Sequence, residues 1–370
     1  MTNAFTFNRR RLLTTAAAGA GMLASPAYLR RAHAQAGGEL NIWTYTGFVP
    51  DDFLKQFQSD TGIKVNIRLV DDQGKQFNLL AAEAPNPSVD ILTVAGHRFL
   101  QFIDTELLAP IDTGRLKNWG AINPVFSESD WATINDEKWG VPILSGAEVL
   151  AYNTNYVQPE EAMTWDTLFS DKYANRNAYI LQDMMSVLML KNGYDGNMIA
   201  YLDDEAEAAR IVAETRDFLI AHKPNVRNYY DGGAEIQQMF VNQDVEVAHA
   251  WNGPIASLMN DGFPVAMAIP TEGTYGFVYT LNVANNAPNA DNAYLFLDAL
   301  LSSAEIGAEI SRSSGFISTY KDAANHLTEM EKRSTSFPED QLEKMQFFRA
   351  EANEMKYSLV DPAVEQIKAA

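Results

Sequence analysis

The chain has 370 residues, and its 28 Lys+Arg against 48 Asp+Glu give a formal net charge of −20 at pH 7. A chain this acidic does not bind nucleic acid or anionic lipid through its overall field, because both are themselves negative. The absence of cysteine excludes disulfides, thiolate metal sites, iron–sulfur clusters and cysteine nucleophiles.

The first 34 residues have the layout of an export signal. A basic block contains the pair Arg9-Arg10, and a weakly hydrophobic run rich in Ala and Gly extends to Ala24. Ala32-His33-Ala34 then matches the small-x-small pattern of a cleavage site. The adjacent arginines and the weakly hydrophobic run resemble a twin-arginine (Tat-type) signal peptide, at residues 1–34. Its removal would take away five arginines, so the formal charge would fall from −20 to −25. The sequence therefore predicts a periplasmic, exported protein with about 335 mature residues, enough for one large domain or two ordinary ones.

Strand and helix patterns alternate in the first part of the mature chain. Alternating apolar and polar residues predict strands at 39–45, 63–67 and 88–94. A helix is predicted to begin at Pro50-Asp51-Asp52, where acids suit the helix dipole, and to end at Gly62. A second helix is predicted near 76–83. This alternation predicts an α/β fold with mixed sheets flanked by helices.

The second part continues the alternation after an interruption at 138–142. Strands are predicted at 148–153, 245–250, 265–269 and 277–283. Helices are predicted at 165–169, 185–191, 204–221, 234–242 and 292–301, and the stretch from Glu329 is predicted to be helical and charged.

Five local patterns together carry a family resemblance. They are Ile42–Pro50 with Thr61–Val65; Val89–Leu92 with Leu108–Asp112; Trp139–Pro142 leading into Leu150–Thr154; Met163–Phe169 with Asn192–Asn197; and Ala250-Trp251-Asn252-Gly253. Their order and spacing resemble the periplasmic solute-binding proteins of ABC importers, specifically the spermidine/putrescine-binding type.

The resemblance implies a type II periplasmic binding protein fold, in which two α/β lobes are joined by crossing hinge strands. It places 39–143 with 277–318 in lobe 1, and 144–276 with 319–370 in lobe 2. Crossing segments are implied near 143–146, 274–279 and 318–321. The ligand would then lie in the cleft between the lobes, beyond the carboxyl ends of strands.

The resemblance also implies which residues bind the ligand. Ammonium groups gain about 0.5–2 kcal/mol from each aromatic face, and a buried cation also needs a counter-charge. The matching positions are Tyr45, Thr46, Gly47, His97, Asp183, Trp251, Phe277, Tyr279 and Phe316.

The acids expected at such a site are mostly missing. Asp183 is present, but Gly47 stands at a glutamate position, Tyr279 at an aspartate position and Ser186 at a second acid position. The family resemblance implies a polyamine or related small organic cation. One acid among several rings also suits a compact quaternary amine, or a zwitterion whose carboxylate meets Arg98 or Arg312.

Structural roles for the same residues remain open. Trp251 is also compatible with a place in the core, Asp183 with a helix N-cap and His97 with a polar loop. Tyr229-Tyr230 is compatible with a structural pair before a turn or with a ferric site.

The predicted role is that of a binding protein and not of an enzyme, since Gly-x-Ser-x-Gly, His-Glu-x-x-His and phosphate-loop motifs are absent. We expect a monomer that delivers its solute to an ABC permease in the inner membrane, without cofactor, metal or nucleic acid. A periplasmic enzyme and a chemoreceptor-linked sensor are the alternatives.

Overall fold

A computed structural model describes residues 37–70 and 73–370, so the predicted signal peptide lies outside the described residues. The strands are β1 Glu39–Thr44, β2 Lys64–Leu69, β3 Ile91–Ala95, β4 Thr133–Ile134, β5 Glu137–Lys138, β6 Val141–Asn153, β7 Asn177–Tyr179, β8 Asn228–Tyr229, β9 Val247–Trp251, β10 Val265–Ala268, β11 Thr274–Val283, β12 Ile317–Ser318 and β13 Met345–Phe347. The α-helices are α1 Asp51–Thr61, α2 Gln73–Glu83, α3 Phe99–Ile103, α4 Pro124–Ser127, α5 Leu181–Lys191, α6 Glu205–His222, α7 Gly233–Val241, α8 Asn252–Asn260, α9 Ala290–Leu300, α10 Ala304–Ser314, α11 Glu329–Thr335, α12 Glu339–Leu342 and α13 Asn353–Ala369.

One large mixed sheet runs through the molecule in the order β2-β1-β3-β11-β6-β9-β7-β8, with β10 and β12 paired to β6 and β13 paired to β11. The β1–β2 and β1–β3 pairs are parallel, whereas β11 is antiparallel to both β3 and β6. Helices flank this sheet, so the predicted α/β fold class is confirmed. No helix within the described ranges is long and apolar enough to cross a membrane.

Strand β6 connects two regions of the sheet. Its first half pairs with β11 from Val141 to Ala147, and its second half pairs with β9 from Glu148 to Tyr152. β12 also pairs with β6, at Leu144 and Ser145. All thirteen residues of β6 are buried. The three segments expected to cross between lobes are therefore neighbours in one sheet, while the predicted lobe boundaries stay a prediction.

Pro142 lies inside β6, although the sequence around it predicts an interruption. Proline has no N–H to donate to a neighbouring strand, so sheets usually admit it at edges or irregularities. Here the register between β6 and β11 shifts at this point, between Tyr279 and Thr280. The Pro142 carbonyl still accepts a hydrogen bond from Thr319 Oγ1, 2.9 Å away. The irregularity explains how one long strand continues through a proline.

Most of the elements that the sequence predicts lie within a few residues of the prediction, whereas several short strands and helices were not predicted. Helix α1 ends where expected, at Gly62, whose φ of 72° is the left-handed conformation that glycine adopts freely. The segment Trp165–Phe169 forms a 3₁₀-helix, capped by the Thr164 hydroxyl. The C-terminal stretch is not uniformly helical, because the short strand β13 interrupts it to pair with β11.

Candidate ligand-binding cleft

A cavity of about 470 Å³ lies where the middle of β6 and the end of β9 face α5 and α13. This volume is typical of small-molecule sites. Its lining comes from distant parts of the chain: His97, Glu148, Gln182, Asp183, Trp251, Phe277, Tyr279, Phe316, Phe348, Arg349, Asn353, Lys356 and Tyr357. The structure thus brings six of the nine predicted site residues together: His97, Asp183, Trp251, Phe277, Tyr279 and Phe316.

Aromatic rings form one wall of the cavity. Phe277 and Tyr279 are two residues apart on β11, so their side chains share a face. The Phe277 ring centroid lies 5.7 Å from that of Tyr279 and 6.0 Å from that of Phe316. Gly146 makes room for this wall, since a Cβ there would lie 2.0 Å from the Phe277 ring. Trp251, at the end of β9, also lines the cavity.

Tyr45, Thr46 and Gly47 are outside the lining of this cavity as described. The Tyr45 ring packs behind the wall, with its centroid 5.6 Å from that of Tyr279, and Thr46 is exposed. Gly47 has a φ of 81°, and a Cβ there would lie 2.4 Å from the Ser313 carbonyl oxygen. A glutamate cannot be accommodated at Gly47 without backbone movement. Contact of these three residues with a ligand stays a prediction.

Two carboxyl groups line the same cavity as the aromatic wall. Glu148 is fully buried on β6; its Oε2 lies 2.8 Å from Nε2 of His249, while its Oε1 has no hydrogen-bond partner among the described residues. Asp183 is the third residue of α5 and does not cap it, because Ile180 holds the capping position. The N-cap interpretation of Asp183 is therefore wrong. Its carboxyl group is available to the cavity.

Burial controls the ionisation of this group of side chains. It raises the pKa of Glu148, and it raises the pKa of Asp183, where repulsion by Glu148 adds to the effect. Burial also lowers the pKa of His249 to about 4 and the pKa of His97 to about 4. Both imidazoles are therefore neutral at pH 7. In the cavity without ligand, the two acids retain protons to higher pH than ordinary carboxyls.

This environment makes stability depend on pH through Glu148. A carboxyl whose folded pKa is raised binds more protons in the native than in the unfolded state, so the free energy of unfolding falls as pH rises toward that pKa. Glu148→Gln removes this titration. We expect the unfolding free energy of the variant, relative to wild type, to rise between pH 5 and pH 8 by at least about 1.4 kcal/mol, equivalent to one pKa unit. Urea titrations at both pH values measure it.

The matched control for that experiment is Glu137→Gln, which removes a carboxylate from the exposed strand β5. Its unfolding free energy relative to wild type should be the same at pH 5 and pH 8. Parallel pH profiles for wild type and Glu148→Gln would contradict the assigned environment of Glu148.

Two cations complete the lining. Lys356, on α13, has its Nζ 4.5 Å from the centroid of the Phe348 ring. Burial lowers the pKa of Lys356, while attraction to Asp183 and Glu148 opposes this shift. Arg349 forms an ion pair with Glu351.

The two arginines that the sequence suggested for a carboxylate lie elsewhere. Arg98 donates to Gln101 Oε1 at 2.8 Å, and Arg312 is 3.0 Å from Glu331. Neither lines the cavity as described.

Seven lining residues are absent from the sequence-based prediction: Glu148, Gln182, Phe348, Arg349, Asn353, Lys356 and Tyr357. The sequence does contain one signal for Glu148, because it is the one charged residue of the strand predicted at 148–153. His249, which pairs with it, is likewise a lone polar residue in β9. No local pattern distinguishes Asn353, Lys356 or Tyr357, because the sequence of α13 predicts only a charged helix.

The structure gives no support for a metal site. Within the described part of the chain, no group of three or more His, Asp or Glu side chains is arranged to hold a metal ion. The tyrosine pair has structural contacts instead: Tyr230 donates to the His249 carbonyl at 2.6 Å, and the Tyr229 ring lies 5.3 Å from that of Tyr179. These contacts favour the structural interpretation of the pair.

Comparisons with known proteins agree with this picture. Residues 52–338 match the model of the bacterial extracellular solute-binding protein family. Spermidine/putrescine-binding periplasmic protein 1 of Haemophilus influenzae is 24% identical over 278 residues, covering 73% of this chain and 72% of the relative. Spermidine/putrescine-binding periplasmic protein of Salmonella typhimurium is 23% identical over 311 residues, covering 83% of each.

A solved structure shows the fold. The spermidine/putrescine ABC transporter substrate-binding protein PotD from Streptococcus pneumoniae, in complex with calcium and HEPES, aligns with a TM-score of 0.77 at 20% identity. The alignment covers 90% of this chain and 99% of that chain. The predicted two-lobe periplasmic binding protein fold is confirmed at this level.

Proposed function

Because this chain belongs to the family of bacterial extracellular solute-binding proteins, we propose that it captures a small organic amine, a polyamine or a related cation, for an ABC importer. Solute binding is the activity of this family and of the relatives named above. The finer assignment of an amine rests on the cavity. The observation that carries it is a single cavity lined by four aromatic rings and two carboxyl groups, those of buried Glu148 and half-buried Asp183. The four rings belong to Trp251, Phe277, Tyr279 and Phe316.

The chemistry of an ammonium group matches this lining. Aromatic faces attract a cation, by about 2 kcal/mol or more when water is excluded. A buried cation also requires a counter-charge, and a carboxyl group that gives up its proton on ligand binding supplies one. The presence of Glu148 and Asp183 in the cavity lining supports this role for them. Ligand binding and lobe closure would be linked, since only a difference in affinity between open and closed states drives closure.

We propose that the mature protein works in the periplasm, as a monomer that delivers its solute to a membrane permease. The names of the Haemophilus and Salmonella relatives, which are periplasmic proteins, support this location. A screen of thermal stability tests the amine assignment. The mature chain is heated with putrescine, spermidine, choline, glycine betaine or amino acids. A ligand at a hundredfold excess over its Kd stabilises the native state by about 2.7 kcal/mol. A panel without any stabilising amine would contradict the proposal.

Trp251 should contribute directly to affinity. Trp251→Ala removes one aromatic face from the cavity, so we expect about tenfold weaker binding of the tightest amine, consistent with a lost cation–ring contact of about 1.4 kcal/mol. The unfolding free energy should change less than for a core tryptophan, because Trp251 is only partly buried. Isothermal titration calorimetry measures the affinity.

Trp119→Ala is the matched control for this variant. Trp119 is also partly buried, but it packs against the core around β1–β3 and does not line the cavity as described. Its replacement should leave affinity unchanged. Equal affinities of Trp251→Ala and wild type would remove Trp251 from the site.

A further inference from the structure

The charged side chains that line the cavity restrict which ligand charges it can accommodate. Two acids, Glu148 and Asp183, face two cations, Arg349 and Lys356. The charge of Arg349 is matched by Glu351. Lys356 has no comparable partner: among the described residues its ammonium makes no hydrogen bond and no ion pair within 4 Å, only the contact with the Phe348 ring. Attraction to Asp183 and Glu148 raises the pKa of Lys356, against the lowering by burial.

This arrangement is unfavourable for a ligand with several positive charges. A diamine would bring two ammonium groups into a cavity whose acids already face a lysine, and each buried charge without a partner is costly. Neither of two further acid positions can compensate. Gly47 leaves no room for a side chain, and Tyr279 contributes a ring to the wall.

Helix α13 presents polar groups to the same cavity. Asn353, Lys356 and Tyr357 are spaced i, i+3 and i+4, so they lie on one face of this helix, and all three line the cavity. Asn353 Nδ2 donates to the His97 carbonyl at 3.0 Å and ties α13 to the segment after β3. Lys356 and Glu148 line the same cavity, and Oε1 of Glu148 has no hydrogen-bond partner among the described residues.

We propose that the ligand is a small zwitterion, whose ammonium group binds at Glu148 and Asp183 and whose carboxylate binds Lys356. This inference rests on the proposed function and narrows it from organic amines to amines that carry an acidic group. A zwitterion itself adds no net charge to the cavity, and its two charged groups offer a partner to the acids and to Lys356. Lys356 thus selects against polyamines, and it takes the role that the sequence suggested for Arg98 or Arg312.

Two matched pairs of probes test the inference. Putrescine and 4-aminobutanoate have nearly the same length, but one ends in an ammonium group and the other in a carboxylate. Choline and glycine betaine share a trimethylammonium group and differ in the same way. We expect wild type to bind at least one zwitterion ten times more tightly than its cationic counterpart, measured by calorimetry. A preference for both cations would overturn the inference and leave the proposed function intact. The absence of binding by any amine would overturn both.

Lys356→Met removes the ammonium and keeps an unbranched side chain against Phe348. We expect at least a tenfold loss of affinity for the preferred zwitterion and tighter binding of its cationic counterpart. If the variant bound the zwitterion as tightly as wild type and the cation more tightly, Lys356 would only disfavour cationic ligands and would not bind a carboxylate. That result would overturn the inference.

Two further variants keep the test independent of folding. Lys356→Arg retains the charge, so it should retain the preference for the zwitterion. Lys368→Met removes a lysine from an exposed turn of the same helix, where it pairs with Glu365, and should change neither affinity. Melting temperatures close to that of wild type verify that each variant is folded. Loss of the zwitterion preference in Lys356→Arg, in a folded variant, would contradict the role of the charge.

Discussion

Replacing Asp183 by asparagine is expected to weaken amine binding by at least about thirtyfold, since truncating one partner of a buried charge pair costs about 2–5 kcal/mol. Asp183 and Glu148 are the two acids in the cavity lining as described. Asparagine keeps the size of the side chain but cannot carry the negative charge that an ammonium requires. Calorimetry with the tightest amine of the screen measures the loss.

The pH dependence of binding separates this effect from a change of shape. Burial raises the pKa of Asp183, so at neutral pH an incoming ammonium group must displace a proton from the acid pair. Affinity for an amine should therefore rise with pH in wild type, as more of the pair becomes ionised. The rise should be smaller in Asp183→Asn, which has one acid fewer to ionise.

Asp361→Asn is the matched control for Asp183→Asn. Asp361 is near the cavity but accepts a hydrogen bond from Gln182 Nε2 at the surface, 2.8 Å away. Solvent screens the electrostatic effect of the Asp361 carboxylate on the cavity. Its replacement should therefore change the affinity for the amine by less than about threefold. An equal loss in the two variants would show that the overall field, and not contact with Asp183, governs binding.

Elements whose signals lie within a few residues of each other could be predicted from the sequence. The alternation of β1, α1 and β2 and the acids and glycine at the ends of α1 act within a few residues. The long strand β6 does not follow from such patterns. Its proline is tolerated by a register shift against β11, which is more than a hundred residues away along the chain. The pairing of β6 with β11 cannot be predicted from local sequence patterns.

The same distinction applies to the site. Aromatic positions such as Phe277 and Tyr279 were recognisable by resemblance to a family, and the structure places them in one wall. Lys356 was not recognisable, because its role depends on α13 packing back over the cavity after the strand β13. Glu148 was recognisable only in part. The sequence shows a charged residue within a predicted strand, but it does not show that this residue pairs with His249. The family resemblance identified positions in the aromatic wall, whereas Glu148 and Lys356 were identified only from the structure.

Trp165→Ala is expected to lower the free energy of unfolding by about 3–5 kcal/mol, the range for truncating a buried aromatic side chain. Trp165 is fully buried and belongs to the core between β6, α5 and α6. Its Nε1 donates to the Gly273 carbonyl at 2.9 Å, just before β11 begins. The variant therefore opens a cavity and also leaves a buried carbonyl without its partner. Urea unfolding at pH 7 measures the change.

Trp165→Phe separates the two contributions, because it keeps a ring and removes the hydrogen bond. Its expected loss is about 1–3 kcal/mol, the cost of a buried polar group left unsatisfied. The Trp165 ring centroid lies 5.6 Å from that of His249, so this tryptophan also supports the imidazole that pairs with Glu148. A loss below about 1 kcal/mol in Trp165→Ala would contradict its core role. Trp251→Ala should show the reverse pattern, with weaker binding and a smaller loss of stability, because Trp251 is only partly buried and lines the cavity as well as packing against the core.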